Sequence, residues 1–590
     1  MDKATHDYAV SGIMTVAAQP LYFGPSDLFG WYHCPDTPHR GVGVVIVSPN
    51  GYDMMSMHWG WRRCAEFLAS LGYPVVRFDL HGTGDSPGDD QQPDRVGAWL
   101  ASINDAIDML KARSNVSDVV LLGTRLGGTL AAIASARNDV TGLVLYAPCV
   151  SGRTYVRELK ALGATARSTG GSIAESVSPD EVLMAGWVLT AQTATELGKL
   201  DLARHSFAGK QVLYLYRADS TADQRLMQAL GTASAVTTEA ADDYSAFAQD
   251  ALFAKEPVND FAKIERWLSF LPAAQLTCSG TDLPKKLVHV DLDYSEQPVV
   301  FGVDKDLFGV LCKPTGAITP PCLVFINTAA NHHVGAHRMA VELSRQLAGR
   351  GIASLRMDVG GIGDSAANVN RVANAVYNPL VADDVIAALD LLHGLGFTDI
   401  TLTGICSGSY LAYHAAVKDS RINSLVLVNL QRFVWRAGDS LEIAVRTAVP
   451  SVGTYWRRSL QWETWQRLIG GDVDLKFVVP ALAGKFSRKV AGVVSKLRNR
   501  LAASDNRMNE VAANCHAILQ RGARIRMIYS GDDGGLDEVA LYLGKHASSL
   551  SKYSSFEFKL VNGADHTFTA LSARRALLEL YCGHLLRQSN

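Results

Sequence analysis

The sequence has 590 residues, of which 48% are hydrophobic and 19% are charged, and its formal net charge at pH 7 is −2. This length and composition are typical of a folded globular protein with more than one domain, and the near-neutral charge gives no general attraction to nucleic acid or to a membrane surface. The chain contains no run near the ~18 apolar residues of a transmembrane helix, and its N-terminus lacks a basic and apolar secretory signal, so we expect a cytoplasmic protein.

The cysteines fit that expectation. Nine of them are scattered along the chain without a Cys-x-x-Cys pair. This pattern is typical of reduced thiols, and it favours neither a disulfide framework nor a zinc site. We therefore predict no metal and no cofactor.

Three segments of the first half recur in the same order in the second half, at a nearly constant offset. Collinear matches of this kind indicate an internal duplication. We predict two domains, residues 1–275 and residues 285–590, joined near residues 271–286. The matched segments are Phe23–Pro35 with Phe301–Pro314, Phe78–Ser86 with Met357–Ser365, and Leu121–Ala132 with Leu402–Tyr413.

Each half alternates short apolar runs with helical patterns. Gly41–Pro49 and Pro321–Asn327 are runs of the kind found in strands buried on both faces. Each is followed by an amphipathic stretch that ends at a glycine, and then by another apolar run. This order predicts two doubly wound α/β domains in tandem, each with a parallel sheet covered by helices on both faces.

A sharp strand-to-helix turn is predicted in the second half. The segment Leu402–Ala412, LTGICSGSYLA, places Cys406 at the apex of the turn, between Gly404 and Gly408. Small residues around such an apex allow a tight backbone that exposes the apex side chain and directs the next backbone N–H groups at an incoming oxyanion. The pattern is Gly-x-Cys-x-Gly where hydrolases of this kind usually have Gly-x-Ser-x-Gly.

With these features the chain resembles the α/β-hydrolase superfamily over nearly its whole length, once in each half. Each half is more narrowly similar to the exosortase A system-associated hydrolases, which are related to serine-aminopeptidase-type hydrolases. The segments that carry this resemblance are Asn331–Ser365 in the second half and Ser151–Leu162 in the first. The cysteine nucleophile is similar to that of dienelactone hydrolases and bile-acid-type N-acyltransferases, which is an analogy of fold and does not transfer a substrate.

The resemblance implies a triad in the order nucleophile, acid, histidine. Cys406 is followed by a late strand that ends in Ser-Gly-Asp-Asp, where Asp533 takes the place of the acid and Asp532 is the alternative. His566 follows the next strand, after a Gly-Ala-Asp turn. Helix N-termini and a neighbouring imidazolium both favour a thiolate.

Further residues are expected around this triad. We predict that the N–H groups of Ser407 and of Ala329 or Ala330 form the oxyanion hole. The side chains predicted to contact substrate are His333, Arg432 and Trp435. For His333, a polar cap on the following helix is the alternative.

The predicted function is hydrolysis of an ester, thioester or amide through a thioester acyl-enzyme. Transfer of the acyl group to an amine or hydroxyl acceptor is the alternative, and a non-catalytic binding scaffold is a further one. The expected partner is a small-molecule or carrier-bound acyl substrate, and the sequence leaves the oligomeric state open.

The first half lacks the residues of this triad. Its turn carries Arg125 at the apex, and a guanidinium cannot act as a nucleophile. The place of the acid is taken by Ser220, next to Asp219, and the segment Thr237–Pro257 contains no histidine. We interpret this half as a pseudo-hydrolase that either supports the second half or binds an anion at Arg125.

A helical cap is expected over each site, in the second half at about residues 431–520. Its segment Ala483–Ala503 carries six basic residues and no acidic residue. This pattern fits a solvated basic face. That is the default interpretation, and the functional alternative is a surface that binds an anion: an acyl carrier protein's phosphopantetheine arm, coenzyme A, an anionic glycan or a membrane surface.

Overall fold

The computed structural model describes residues 18–35, 39–137, 139–169, 181–184, 186–271, 287–367, 376–435, 439 and 506–586. These residues divide into two compact units, one formed mostly by residues before 290 and the other mostly by residues from 290 onward. The domain limits 1–275 and 285–590 remain a prediction, since the predicted junction falls largely outside the described residues.

The first unit contains an eight-stranded sheet with strand order β1-β2-β4-β3-β5-β6-β9-β10. Strands β1, β2 and β4 pair antiparallel, and the remaining neighbours pair parallel. The strands are β1 Ala18–Phe23, β2 Leu28–His33, β3 Val42–Val47, β4 Val75–Phe78, β5 Asp118–Thr124, β6 Val140–Tyr146, β9 Gln211–Arg217 and β10 Ala235–Ala241. A separate hairpin, β7 Val182–Met184 and β8 Trp187–Leu189, lies in the insertion after β6.

Helices connect these strands. They are α1 Tyr52–Ser70, α2 Arg95–Ser114, α3 Leu126–Ala134, α4 Gly152–Thr169, α5 Ala191–Leu197, α6 Gln224–Leu230, α7 Tyr244–Phe247 and α8 Val258–Ser269. Helices α4 and α5 belong to the insertion between β6 and β9. This is the position at which a cap was predicted.

The second unit has the same sheet order with one additional edge strand, β11-β12-β13-β15-β14-β16-β17-β18-β19. Its strands are β11 His289–Val290, β12 Tyr294–Phe301, β13 Leu307–Pro314, β14 Cys322–Phe325, β15 Ser354–Asp358, β16 Ile400–Ile405, β17 Ser424–Val428, β18 Arg524–Ser530 and β19 Phe556–Val561. Its helices are α9 Met339–Ala348, α10 Ala382–Gly394, α11 Ser407–Lys418, α12 Asn506–Gln520, α13 Gly535–Leu543 and α14 Leu571–Leu585. The prediction of two doubly wound α/β domains in tandem is confirmed.

Successive side chains of each parallel strand point to opposite faces of the sheet, so a hydrophobic core forms on each face. In β3 of the first unit, Val45 and Val47 pack with helices α2 and α3, whereas Val44 and Ile46 pack with α1 and α8. All four side chains are fully buried. This is why the strands consist of unbroken apolar runs rather than alternating polar and apolar residues.

Both units contain the same turn after the strand that pairs antiparallel with one neighbour and parallel with the other. This strand is β4 in the first unit and β15 in the second. In the second unit the Asp358 carboxylate accepts from the Asp364 N–H at 2.9 Å, and the Ser365 hydroxyl donates to the Asp358 carbonyl at 2.6 Å. In the first unit Asp79, Asp85 and Ser86 form the same two bonds, at 2.9 and 2.7 Å. The repeated Gly-Asp-Ser motif therefore holds a turn in both halves.

The predicted cap of the second unit, at about residues 431–520, lies almost entirely outside the described residues, and so does its basic segment Ala483–Ala503. Among the helices that the structure describes, none combines the length and hydropathy required to cross a membrane.

Candidate active site

The predicted turn at Cys406 joins strand β16 directly to helix α11. Cys406 is the N-cap of α11 and has a φ of 56°, in the left-handed region that non-glycine residues rarely adopt. Gly404 and Gly408 make this bend possible, because a Cβ on Gly404 would lie 2.5 Å from the backbone of Gly408. The thiol is partly exposed at the amino end of a helix, where the helix dipole favours negative charge.

His566 and Asp533 lie at the carboxyl end of the same sheet. Asp533 follows β18, and His566 follows the neighbouring strand β19. The His566 Nδ1 atom lies 2.6 Å from Asp533 Oδ2. The Asp533 side chain is buried, whereas Asp532 is exposed, so Asp533 is the carboxylate that meets the histidine.

His566 is also hydrogen-bonded to the Cys406 side chain. Burial alone would lower the pKa of His566, but the Asp533 carboxylate and the Cys406 sulfur outweigh it and raise this pKa well above its ordinary value. The structure thus brings the three predicted triad residues into one hydrogen-bonded row. An imidazolium that faces a sulfur is the arrangement that stabilises a thiolate.

Two polar residues after β17 support the row, and neither was predicted from the sequence. Gln431 donates through Nε2 to Asp533 Oδ1, which also accepts the Gly535 N–H at 2.7 Å. Asn429 donates to the His566 carbonyl at 2.7 Å, and its Oδ1 accepts the Ser530 N–H at 2.8 Å. Polar side chains directly after a buried parallel strand, Val-Asn-Leu-Gln, were the available signal.

Tyr377 was missed as well, and it contacts the sulfur. Its phenol oxygen lies 3.3 Å from Cys406 Sγ. The ring stacks on Trp435 with centroids 4.6 Å apart and an interplanar angle of 7°, and it meets the Tyr410 ring edge-on. The surrounding sequence offers no motif that could have indicated this role.

The predicted substrate-contact residues separate into two groups. Trp435 lies beside the cysteine through its stacking on Tyr377, and Arg432 forms a 3.6 Å ion pair with Glu538 close to the same tyrosine. His333 is held elsewhere. Its Nδ1 lies 2.7 Å from Asp358 Oδ2, inside the turn that follows β15.

The prediction that His333 contacts substrate therefore needs correction. Its side chain is 1% exposed, and both its ring and its backbone N–H bind the Asp358 carboxylate. Among the described residues, His333, Asp358 and Asp364 also form the one group of at least three His, Cys, Asp or Glu side chains whose ligand-type atoms all lie within 4.8 Å of one another. The Asp358 oxygens already accept hydrogen bonds from the turn, so we assign His333 to the turn.

The predicted oxyanion donors have different surroundings. The Ala329 N–H donates to the Ser407 hydroxyl at 2.9 Å and is therefore engaged. Within the part of the chain that the structure describes, the N–H groups of Ser407 and Ala330 donate to no protein acceptor. These two remain the better-placed donors of the predicted set.

In the first unit, Arg125 occupies the same backbone position as Cys406. It is the N-cap of α3 with a φ of 53°. Its guanidinium is 12% exposed and is paired with Asp53 of α1 at 3.4 Å and with Glu158 of α4. Burial lowers the pKa of Arg125, but the surrounding acidic groups more than compensate and raise it. Because two carboxylates already neutralise Arg125, the alternative of an anion site there loses its support.

At the positions of the first unit that correspond to the acid and the histidine, the side chains make other contacts. Asp219 forms an ion pair with Arg217 at 2.6 Å beside Ser220. Beyond β10, where the second unit has its histidine, the Asp260 carboxylate accepts the backbone N–H groups of Asp242 and Asp243. The Tyr146 hydroxyl donates to the same carboxylate at 2.6 Å.

Comparison with protein families gives one match. The family model of serine aminopeptidase, S33, matches residues 51–237. The matched segment lies in the half whose turn carries Arg125. Together with the strand order of both sheets, the match confirms the predicted α/β-hydrolase fold. No curated protein matches the sequence.

Three solved structures that are similar to this chain each correspond to less than half of it. Est1E from Butyrivibrio proteoclasticus, solved with ferulic acid, is 15% identical and covers 42% of this chain and 98% of its own, with a TM-score of 0.33. XC6422 from Xanthomonas campestris, described as an α/β serine hydrolase without a lid, is 16% identical and covers 44% and 96%, with a TM-score of 0.27. Proline iminopeptidase from Mycobacterium smegmatis is 14% identical and covers 43% and 98%, with a TM-score of 0.27.

Proposed function

We propose that the second half of the chain is an acyl hydrolase in which Cys406, His566 and Asp533 act as nucleophile, base and orienting acid. The observation that carries this proposal is the hydrogen-bonded row from Asp533 through His566 to Cys406, with the sulfur at the N-terminus of α11. The substrate is an ester, thioester or amide.

The reaction follows from the positions of these groups. The Cys406 sulfur attacks the acyl carbon while its proton resides on His566, and the carbonyl π electrons move to oxygen. Collapse of this tetrahedral species forms a thioester, and His566 donates its proton to the leaving group. His566 then takes a proton from water, which attacks the thioester, so that the products are a carboxylic acid and the regenerated thiol.

Asp533 holds the imidazole in the orientation that this proton transfer requires. Since its Oδ2 accepts from His566 Nδ1, the Nε2 atom is the one available to the sulfur. The N–H groups of Ser407 and Ala330 are the proposed oxyanion donors. In other acyl-transfer enzymes, one such donor is worth roughly 3 kcal/mol of transition-state stabilisation.

Acyl transfer to an amine or hydroxyl acceptor remains the alternative outcome of the same acyl-enzyme. A thioester reacts readily with amines, and the basic segment Ala483–Ala503 could serve a carrier-bound acyl substrate or coenzyme A. In both cases the first half is non-catalytic, because the guanidinium of Arg125 stands where the nucleophile would be and cannot act as one.

The proposal is tested with a thiol-reactive probe and a panel of p-nitrophenyl esters and acyl thioesters. We expect fast, selective labelling of Cys406, a thioester adduct in the intact mass, and loss of both in His566→Ala. Cys34 is the matched control, since it is also partly exposed and its thiol donates to the Pro35 carbonyl at 3.6 Å. Equal labelling rates for Cys34 and Cys406, with no adduct on any substrate, would leave the non-catalytic scaffold as the function.

The two catalytic outcomes are separated by adding hydroxylamine or a primary alkylamine to the preformed acyl-enzyme. A hydrolase shows fast breakdown in water, and these nucleophiles accelerate it only in proportion to their concentration, without saturation. A transferase shows slow breakdown in water and saturable acceleration by its acceptor.

A further inference from the structure

The Tyr377 hydroxyl is the second polar group that contacts the reactive sulfur. It lies 3.3 Å from Cys406 Sγ, whereas the histidine of the triad approaches the same atom from the loop after β19. Tyr377 is buried, with 8% of its surface exposed, and Trp435 and Tyr410 fix its ring on two sides. The phenol therefore has a fixed position relative to the sulfur.

The proton of this phenol stays in place at neutral pH. Burial and then the neighbouring Cys406 sulfur raise the pKa of Tyr377 well above its ordinary value, against the opposite effect of Arg432. A protonated phenol beside a thiolate is a hydrogen-bond donor, and a bond to a charged acceptor is stronger than one to a neutral acceptor.

We propose that Tyr377 is a further catalytic residue, whose hydroxyl donates a hydrogen bond to the Cys406 thiolate and then to the oxyanion that forms beside it. This inference rests on the proposed function and extends it. As the sulfur lone pair forms the C–S bond, the negative charge leaves the sulfur and the carbonyl π pair moves to oxygen. Tyr377 keeps its proton throughout and only changes its acceptor.

The charged groups around the sulfur fit this assignment. His566, bound to Asp533, faces it from the loop after β19, and the Tyr529 phenol on β18 also interacts with it. Behind Tyr377 lies the ion pair of Arg432 and Glu538, whose opposite charges largely cancel. Among the described residues, Tyr377 and His566 are the two whose hydrogen bonds to the sulfur are seen, so deletion of the phenol leaves His566 as the only such donor among them.

The first test is the rate of Cys406 alkylation by iodoacetamide as a function of pH in wild type and Tyr377→Phe. We expect the pH of half-maximal alkylation to rise by about one unit, the tenfold change that loss of one hydrogen bond to a charged acceptor produces. The matched control is Tyr413→Phe, which removes a buried phenol from helix α11, where the ring packs against His414 and Phe433, and which should leave the profile unchanged. An identical profile in Tyr377→Phe and wild type overturns the proposal.

The second test replaces Tyr377 with a fluorinated tyrosine, which has nearly the same shape and a more acidic hydroxyl. A donor role predicts that p-nitrophenyl butyrate turnover by this variant changes with phenol acidity, whereas Tyr377→Phe loses about tenfold in kcat. A purely structural ring gives wild-type rates with both substitutions, and the proposal is then wrong. If the alkylation profile shifts while no ester or thioester is turned over, the proposed function fails and the donor role stands.

Discussion

The two sharp turns of this protein have nearly the same backbone conformation, but one carries a guanidinium at its apex and the other a thiol. Arg125 has φ and ψ of 53° and −123°, and Cys406 has 56° and −111°. Each backbone N–H donates to the carbonyl at the end of the next strand, Arg125 to Tyr146 at 3.1 Å and Cys406 to Val428 at 3.0 Å. The bend is thus present both in the half with a cysteine at the apex and in the half with an arginine there. The fold requires the bend, and the chemistry depends on which side chains surround it.

The surrounding side chains differ at each corresponding place. Asn429 and Ala147 both follow the next strand with positive φ, 45° and 47°, but only the asparagine can connect the acid strand to the histidine loop. In the second half a hydrogen-bonded row of side chains ends at the Cys406 thiol, whereas in the first half the side chains around Arg125 form ion pairs with it. The first half thus has its own set of satisfied contacts at these places.

The largest expected effect comes from exchanging the two apex residues. Cys406→Arg should reduce turnover by at least about a thousandfold, the usual loss when a triad nucleophile is removed. It should also lower the melting temperature, because the guanidinium would lie beside His566, whose pKa is raised. Arg125→Cys should react with iodoacetamide no faster than an ordinary thiol, since Thr237–Pro257 supplies no histidine. Rapid labelling at position 125 would contradict the importance that we give to the base.

A smaller effect is expected from Asn429→Ala, which gives the second half the residue of the first. The His566 carbonyl and the Ser530 N–H would lose their partner, and alanine is less tolerant than asparagine of a left-handed φ. We expect kcat to fall about tenfold to a hundredfold with little change in KM, because the histidine loop is displaced rather than the substrate pocket. Ala147→Asn is the matched control and should leave turnover unchanged. An unaffected kcat in Asn429→Ala would exclude this positioning role.

The smallest effect concerns the stability of the first half. Arg125→Met should cost about 2 kcal/mol, less than for a fully buried pair because Glu158 is 41% exposed. The measurement is hydrogen exchange in helices α1 and α4, where the two carboxylates lie. Arg137→Met removes ion pairs with Asp139 and with the 62% exposed Asp108, and it should cost less than about 1 kcal/mol because the arginine itself is 30% exposed.

The penalty of Arg125→Met should also depend on pH. Burial raises the pKa of Asp53, and Arg125 opposes that rise. Without the guanidinium, the folded state holds the Asp53 proton more tightly, so stability is lost as pH rises through the window above the unfolded value. The difference from wild type is therefore expected to be larger at pH 8 than at pH 5. A pH-independent penalty would mean that the lost packing of Arg125 matters more than its charge.

Much of the fold could be predicted from the sequence, because it depends on local patterns. Apolar runs and glycine-flanked bends specify the parallel sheets and both turns, and the order of Cys406, Asp533 and His566 follows the order of the strands. Gln431 and Asn429 could have been found from their position directly after a buried strand, whereas Tyr377 could not, since it is brought to the site by a loop that carries no motif. His333 was assigned wrongly to substrate contact because its sequence position beside the oxyanion loop does not reveal that its ring turns toward Asp358.

The close packing behind the apex has a consequence for how such proteins change over time. A Cβ on Gly127 would collide with the Val47 carbonyl, and one on Gly408 would lie 2.7 Å from the Asn327 carbonyl, so helix and strand can approach only through the bend. A mutation at the apex can therefore silence the enzyme without unfolding it. After a duplication, one such change leaves a stably folded domain that can evolve another function. Building a triad in such a domain would require three side chains and no change of the backbone.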